Sequence, residues 1–104
     1  MPDEREVEKA YHYLAETDEA YAKAYAKKER LEAEAKVARD VAFLGAEGTV
    51  AERQAVAGSC EAYRNALDEL ESAYVTLDLI KAKRKRAELA IDLFRTLEAS
   101  RRRT

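Results

Sequence analysis

The sequence predicts an all-α fold: two long helices paired as an antiparallel hairpin, with a short helix at the turn, assembling into an oligomeric helical bundle. Three observations predict it. The breakers are concentrated, with Gly45, Gly48 and Gly58 together near the middle and Pro2 at the start. The stretches on either side, about residues 3–44 and 59–101, contain almost nothing that interrupts a helix and are dense in Ala, Leu, Glu, Lys and Arg, the strongest helix formers. Apolar residues recur at steps of three, four and seven, and no stretch alternates with period two, so strands are not expected.

The first long helix has a start signal at Asp3, with Glu6 three residues on as in a capping box. Its apolar positions, Val7, Tyr11, Leu14, Tyr21, Tyr25, Leu31, Ala35, Ala38, Val41 and Leu44, form one helical stripe. Thr17, followed by Asp18 and Glu19, also reads as a helix start, so a break or kink there is an open alternative. In the middle, Gly48 can take the left-handed conformation that ends a helix. Thr49 and Glu52 then match a second capping box and predict a short helix over about 50–57. Gly58 is expected to end it, with Ser59 as N-cap of the second long helix. That helix carries Tyr63, Leu67, Leu70, Tyr74, Leu77, Ile80, Ile91 and Phe94 in one stripe.

The charges select the antiparallel arrangement. Residues 1–22 hold seven acidic and two basic side chains, whereas residues 81–104 hold nine basic and three acidic. Residues 23–45 carry a net +2 and residues 59–80 a net −4. Folding back lays opposite signs side by side. Each exposed pair is weak, yet the summed pattern disfavours the parallel alternative. The turn pairs residues whose numbers sum to about 104. Arg84 interrupts the apolar stripe of the second long helix, and Asp18, also expected in a seam slot, is its expected partner across the hairpin.

Length and composition bound the function. The chain has 104 residues, 19 Lys+Arg, 21 Asp+Glu, one His and a formal net charge of −2. That suits one helical domain over 1–104. One Cys and one His exclude a disulfide framework or a Cys/His zinc site within the chain. No apolar run approaches the ~18 residues of a membrane span. The start Asp3-Glu4-Arg5-Glu6 is unlike a signal peptide, so a cytoplasmic location is expected. There is no phosphate-cradling glycine loop, no Ser/His/Asp set and no HExxH; Glu8 and His12 are four apart but lack a companion ligand motif. No enzyme, metal or cofactor is expected.

Candidate binding residues lie at the charge poles. The run Lys81-Ala82-Lys83-Arg84-Lys85-Arg86 can contact nucleic-acid phosphates, because clustered cations release counterions from the backbone. It can also neutralise the acidic first helix, and at 100° per residue its cations point nearly all round, which gives this second reading more weight. An acidic protein partner is the third possibility. Arg101, Arg102 and Arg103 are less needed for helix pairing. If DNA is bound, the expected phosphate contacts are Lys83, Lys85, Arg101, Arg102 and Arg103. The six tyrosines suit core packing better than base stacking, since all but Tyr13 lie on the stripes. His12 is expected to be exposed and Cys60 inert.

A second stripe runs along the second long helix about half a turn from the first: Val75, Leu79, Ala82, Leu89, Leu93 and Leu97. A lone hairpin has nothing to bury it, and each buried Leu is worth about 1.5–3 kcal/mol. Leu79, Leu89, Leu93 and Leu97 are therefore the expected oligomer interface, with a homodimer as the simplest form.

The segments Phe43–Arg53, Ala82–Leu89 and Ile91–Leu97, running on to Arg101, resemble a family of small, poorly characterised helical bacteriophage proteins. The resemblance covers most of the second half of the chain and, more loosely, the first. Such proteins tend to be encoded near recombination or replication functions, and the family supplies no catalytic residues. The resemblance implies a non-enzymatic accessory role in phage DNA recombination or replication, by binding DNA or a DNA-processing protein in the host cell. The alternative is a protein-binding module that inhibits a host defence or nuclease complex through its acidic N-terminal region.

Overall fold

A computed structural model describes residues 2–103. It contains α1 (Glu4–Gly45), α2 (Val50–Ser59) and α3 (Glu61–Arg103), and no strand among the described residues. Long helix α1 packs against long helix α3, with α2 between them in the chain, so the fold is a helical hairpin. No helix among the described residues is long and apolar enough to cross a membrane.

The contacts divide into two compact units. One unit holds the chain up to Lys23 together with the chain from Asp78 onward. Its core is Val7, Ala10 and Ile91, with Leu14, Ala87 and Phe94 packed against them. The buried and half-buried positions that build its seam are 7, 10, 14, 17 and 21 on α1, and 80, 84, 87, 91, 94 and 98 on α3. The steps alternate strictly between three and four, the 3.5-residue spacing of a coiled-coil seam.

The second unit is Ala24–Leu77. Its seam uses positions 24, 28, 31, 35, 38 and 42 on α1, and 63, 66, 70, 73 and 77 on α3, with the same alternation. Leu31, Ala35, Ala57, Ala73 and Leu77 are buried. Alanine fills much of this seam. It contributes little apolar area per residue, but it lets helix backbones approach closely.

This seam corrects the sequence-derived stripes. Tyr11, Tyr25, Val41 and Leu44 on α1, and Leu67 and Tyr74 on α3, are exposed rather than buried. Steps of three and four can be chained along more than one side of a helix. Choosing the larger apolar residue at each step moved the expected stripe off the alanines that occupy the seam.

Two of the expected caps form as read. Asp3 Oδ1 accepts from Glu6 N at 2.9 Å, and Thr49 Oγ1 accepts from Glu52 N at 3.2 Å. No break occurs at Thr17: α1 continues, and the Thr17 hydroxyl donates back to Tyr13 O at 2.7 Å. Helix α1 stops at Gly45, and Gly48 adopts φ +111° in the following turn. A side chain on Gly48 would also run into the Glu52 carboxylate. The α2–α3 junction differs from expectation. Gly58 does not end α2, which runs through Ser59; the Ser59 hydroxyl donates to Ala55 O at 2.8 Å inside the helix. The break falls at Cys60, extended at φ −68° and ψ 147°, whose carbonyl accepts from Arg64 N at 3.1 Å. Arg53 closes the end of α1: its Nε donates to Phe43 O at 3.2 Å, and its guanidinium lies 4.4 Å from the Phe43 ring centre.

Candidate nucleic-acid interface

The basic residues of the first unit divide by what holds them. Arg84 occupies a seam slot and is mostly buried, its side chain 17% exposed. Its Nη1 donates to Leu14 O at 2.9 Å and to Thr17 Oγ1 at 2.8 Å, and its Nη2 donates to Asp18 Oδ1 at 2.7 Å. The guanidinium also lies 5.1 Å from the centre of the Tyr21 ring. The expected Arg84–Asp18 pair therefore forms, but Asp18 is 69% exposed and the seam slot belongs to Thr17. With four partners in place, Arg84 is committed to helix pairing.

Lys83 and Lys85 are exposed, as expected of phosphate contacts. Lys85 lies 4.0 Å from Glu88, and with Lys81, Ala82, Arg84, Glu88 and Tyr21 it lines a shallow groove. Arg101, Arg102 and Arg103 are exposed in the last turn of α3. Cations there face the negative end of the helix dipole. Arg101 is held by Glu98 at 2.5 Å. Lys83, Arg86, Arg102 and Arg103 form no ion pair with another described residue. Free cationic heads are what sequence-independent phosphate contact requires.

The acidic pole lies on the same unit. Glu4, Glu6, Glu8, Glu16 and Glu19 are all exposed. Glu16 meets His12 at 3.5 Å and Glu19 meets Lys23 at 2.8 Å. His12 is exposed, as expected. Tyr11 stands at the edge of the helix pair, where its hydroxyl accepts from Arg95 Nη2 at 2.6 Å. Of the expected interface leucines, Leu79, Leu89 and Leu93 are exposed. Leu97 is half-buried and lines a groove with Pro2, Asp3 and Phe94.

Sequence reasoning missed a charged cluster in the second unit. Lys28 takes a seam slot, and its side chain is only 11% exposed. Its Nζ donates to Glu29 Oε1 at 2.7 Å, approaches Glu32 at 4.0 Å, and lies 4.7 Å from the Tyr25 ring centre and 5.6 Å from that of Tyr74. The Tyr74 hydroxyl donates to the Glu32 carboxylate. The available signal was a lysine in the three–four series between Ala24 and Leu31. The hydrogen bond to Glu29 raises the Lys28 pKa above its ordinary value and lowers that of Glu29. The bond to Glu32 raises Tyr74.

The signs fix the pH response. The Glu29 contribution is present above the ordinary glutamate range and lost as pH falls through its lowered pKa. The Tyr74 and Lys28 contributions are present below their ordinary values and lost as pH rises through the raised ones. In an alkaline titration followed by tyrosinate absorbance, Tyr74 is expected to give a last step above the ordinary tyrosine range, and Tyr74→Phe should delete it. A last step that survives the substitution would show that Glu32 does not hold the phenol.

Comparison of the chain with protein-family models, with curated proteins and with solved structures found no match.

Proposed function

We propose that this chain is a non-enzymatic accessory protein of bacteriophage DNA recombination or replication that binds DNA through phosphate contacts from Lys83, Lys85, Arg101, Arg102 and Arg103. One observation carries the reading: these five cations are exposed on one helix of one unit, and Lys83, Arg102 and Arg103 have no ion-pair partner among the described residues. The resemblance to phage proteins encoded near recombination and replication functions supplies the setting. The net charge of −2 opposes tight association, so binding is weak and indifferent to base sequence.

The test is a titration of single-stranded and duplex DNA at several salt concentrations. With about four of the five contacts made at once, affinity should fall roughly a hundredfold between 50 and 200 mM salt. Replacing Lys83, Arg102 and Arg103 by Ala should flatten that dependence by about three contacts. Absence of binding at low salt, or binding insensitive to salt, would defeat the proposal.

A second reading has its own observation. Glu4, Glu6 and Glu8 are exposed without ion-pair partners among the described residues, and they present a dense acidic surface at the start of α1. Such a surface suits a decoy for a basic patch on a host defence or nuclease complex. A nuclease-resistant partner lost on changing Glu4, Glu6 and Glu8 to Lys, but kept when Arg102 and Arg103 are changed, would favour this reading over DNA.

A further inference from the structure

The outward face of α3 in the first unit carries a second, ordered stripe. Positions 79, 82, 86, 89, 93 and 96 follow the same alternation of four and three as the seam, but on the opposite side of the helix. Leu79, Leu89 and Leu93 on this stripe are 58%, 53% and 46% exposed. Exposed large apolar side chains scattered singly need no explanation, whereas leucines in coiled-coil register along one face mark an interface for another helix.

We infer that this face binds a second copy of the chain, with the two α3 helices antiparallel about a twofold axis. The charges beside the stripe select both occupant and polarity. Lys85 and Asp92 lie on the same flank of the stripe, seven residues apart, and Asp92 has no ion-pair partner among the described residues. In the antiparallel register that sets Ala82 against Leu93 of the second copy, Lys85 comes opposite Asp92 of the second copy, and symmetry repeats the pair. Sliding the helices by one heptad sets Lys85 against itself in one direction and Asp92 against itself in the other. A parallel in-register pairing sets Arg86 against itself at the centre of the stripe. In the antiparallel register the aliphatic stem of Arg86 covers Leu89 of the second copy, and its guanidinium reaches toward Asp92 of the second copy. Asp78 lies on the same flank, but the register that sets Lys85 against it leaves only Leu79 and Ala82 of the stripe in overlap. One register alone therefore satisfies both the charges and the apolar face, as an isologous contact requires.

This pairing also bears on the DNA contacts. In the dimer Lys85 is engaged at the interface and withdrawn from DNA, which leaves the phosphate contacts to Lys83 on the other flank and to Arg101, Arg102 and Arg103 beyond the stripe. The twofold axis then gives the assembly two basic ends.

Sedimentation of the purified chain at tens of micromolar, without DNA, tests the inference. The wild type should sediment as a dimer, and Leu89→Glu with Leu93→Glu as a monomer of unchanged helical circular dichroism. The charge swap tests register without touching the apolar stripe. Asp92→Lys should weaken dimerisation about tenfold, because two symmetry-related pairs turn repulsive. Adding Lys85→Glu should restore it. A monomeric wild type overturns the inference. So does a dimer that survives the leucine substitutions, since its contact lies elsewhere. A leucine-dependent dimer indifferent to the charge swap overturns the antiparallel register, and a monomer whose leucines are needed to retain a different protein assigns the face to that protein.

Discussion

Replacing Leu77 by Ala is expected to cost about 2–5 kcal/mol and to lower the melting temperature by roughly 10 °C or more. Leu77 is 1% exposed, the largest fully buried side chain of the described residues, and it sits in a seam slot one heptad from Leu70 and four residues from the buried Ala73. The loss combines the transfer energy of the removed carbons with the cavity left behind. Neighbours as small as Ala73 have no side-chain reach with which to fill that cavity. Leu67→Ala is the matched control. It makes the same chemical change with the same gain in helix propensity, at a position 39% exposed, and should cost about 1 kcal/mol or less. Thermal unfolding of the two variants separates the three–four seam from the stripe of large residues, which holds both leucines. Equal losses would show that the seam has been placed on the wrong side of α3.

The contrast between Leu67 and Leu77 marks what was legible in the sequence. Helix existence, order and number follow from the clustered glycines and the breaker-free flanks, because breakers act locally. The caps at Asp3 and Thr49 were legible for the same reason: a side-chain oxygen three residues from a free N–H is a local arrangement. The junction at Cys60 was misread because Gly58 and Ser59 are common at helix ends, yet both are tolerated inside α2. The seam was only half legible. Val7, Leu14, Leu31, Leu77, Ile91 and Phe94 belong to it, but Ala10, Ala24, Ala42, Ala66 and Ala73 do too, and alanine carries too little hydrophobic contrast to reveal a face. Tyr11, Tyr25 and Tyr74 misled for the opposite reason. Each sets an aromatic ring at the edge of the helix pair, with Tyr11 and Tyr74 placing their hydroxyls on Arg95 and Glu32. A tyrosine is amphipathic, and an edge position suits it as well as a core slot.

The basic residues show the same division. The exposure of the terminal arginines was expected, because they are less needed for helix pairing. The second leucine stripe was legible as a surplus of apolar face. The caged Lys28 was not, because a lysine inside a charged stretch gives no sign that its ammonium will lie against two tyrosine rings.

Arg84→Glu is expected to destabilise the hairpin by about 3–5 kcal/mol, whereas Arg84→Met should cost about 1 kcal/mol or less. The guanidinium is enclosed by acceptors: Leu14 O, Thr17 Oγ1, Asp18 Oδ1 and the face of Tyr21. A carboxylate placed there meets no donor but the Thr17 hydroxyl, which already donates to Tyr13 O, and it is repelled by Asp18. Methionine keeps the apolar stem in the seam. It also leaves no buried acceptor stranded, because Leu14 O lies within α1, where helical hydrogen bonding continues, and Asp18 faces water. The geometry likewise limits what the ion pair itself contributes. Asp18 is 69% exposed, so the coupling measured between Arg84→Met and Asp18→Leu in a double-mutant cycle should be about 1 kcal/mol or less, in the range of surface pairs. Urea denaturation of the four variants supplies both tests. If Glu is tolerated at position 84 as well as Met, the side chain is not enclosed between the helices. If the Arg84–Asp18 coupling reaches the 3–5 kcal/mol of a buried pair, Asp18 lies in the seam after all, and the slot assigned to Thr17 is wrong.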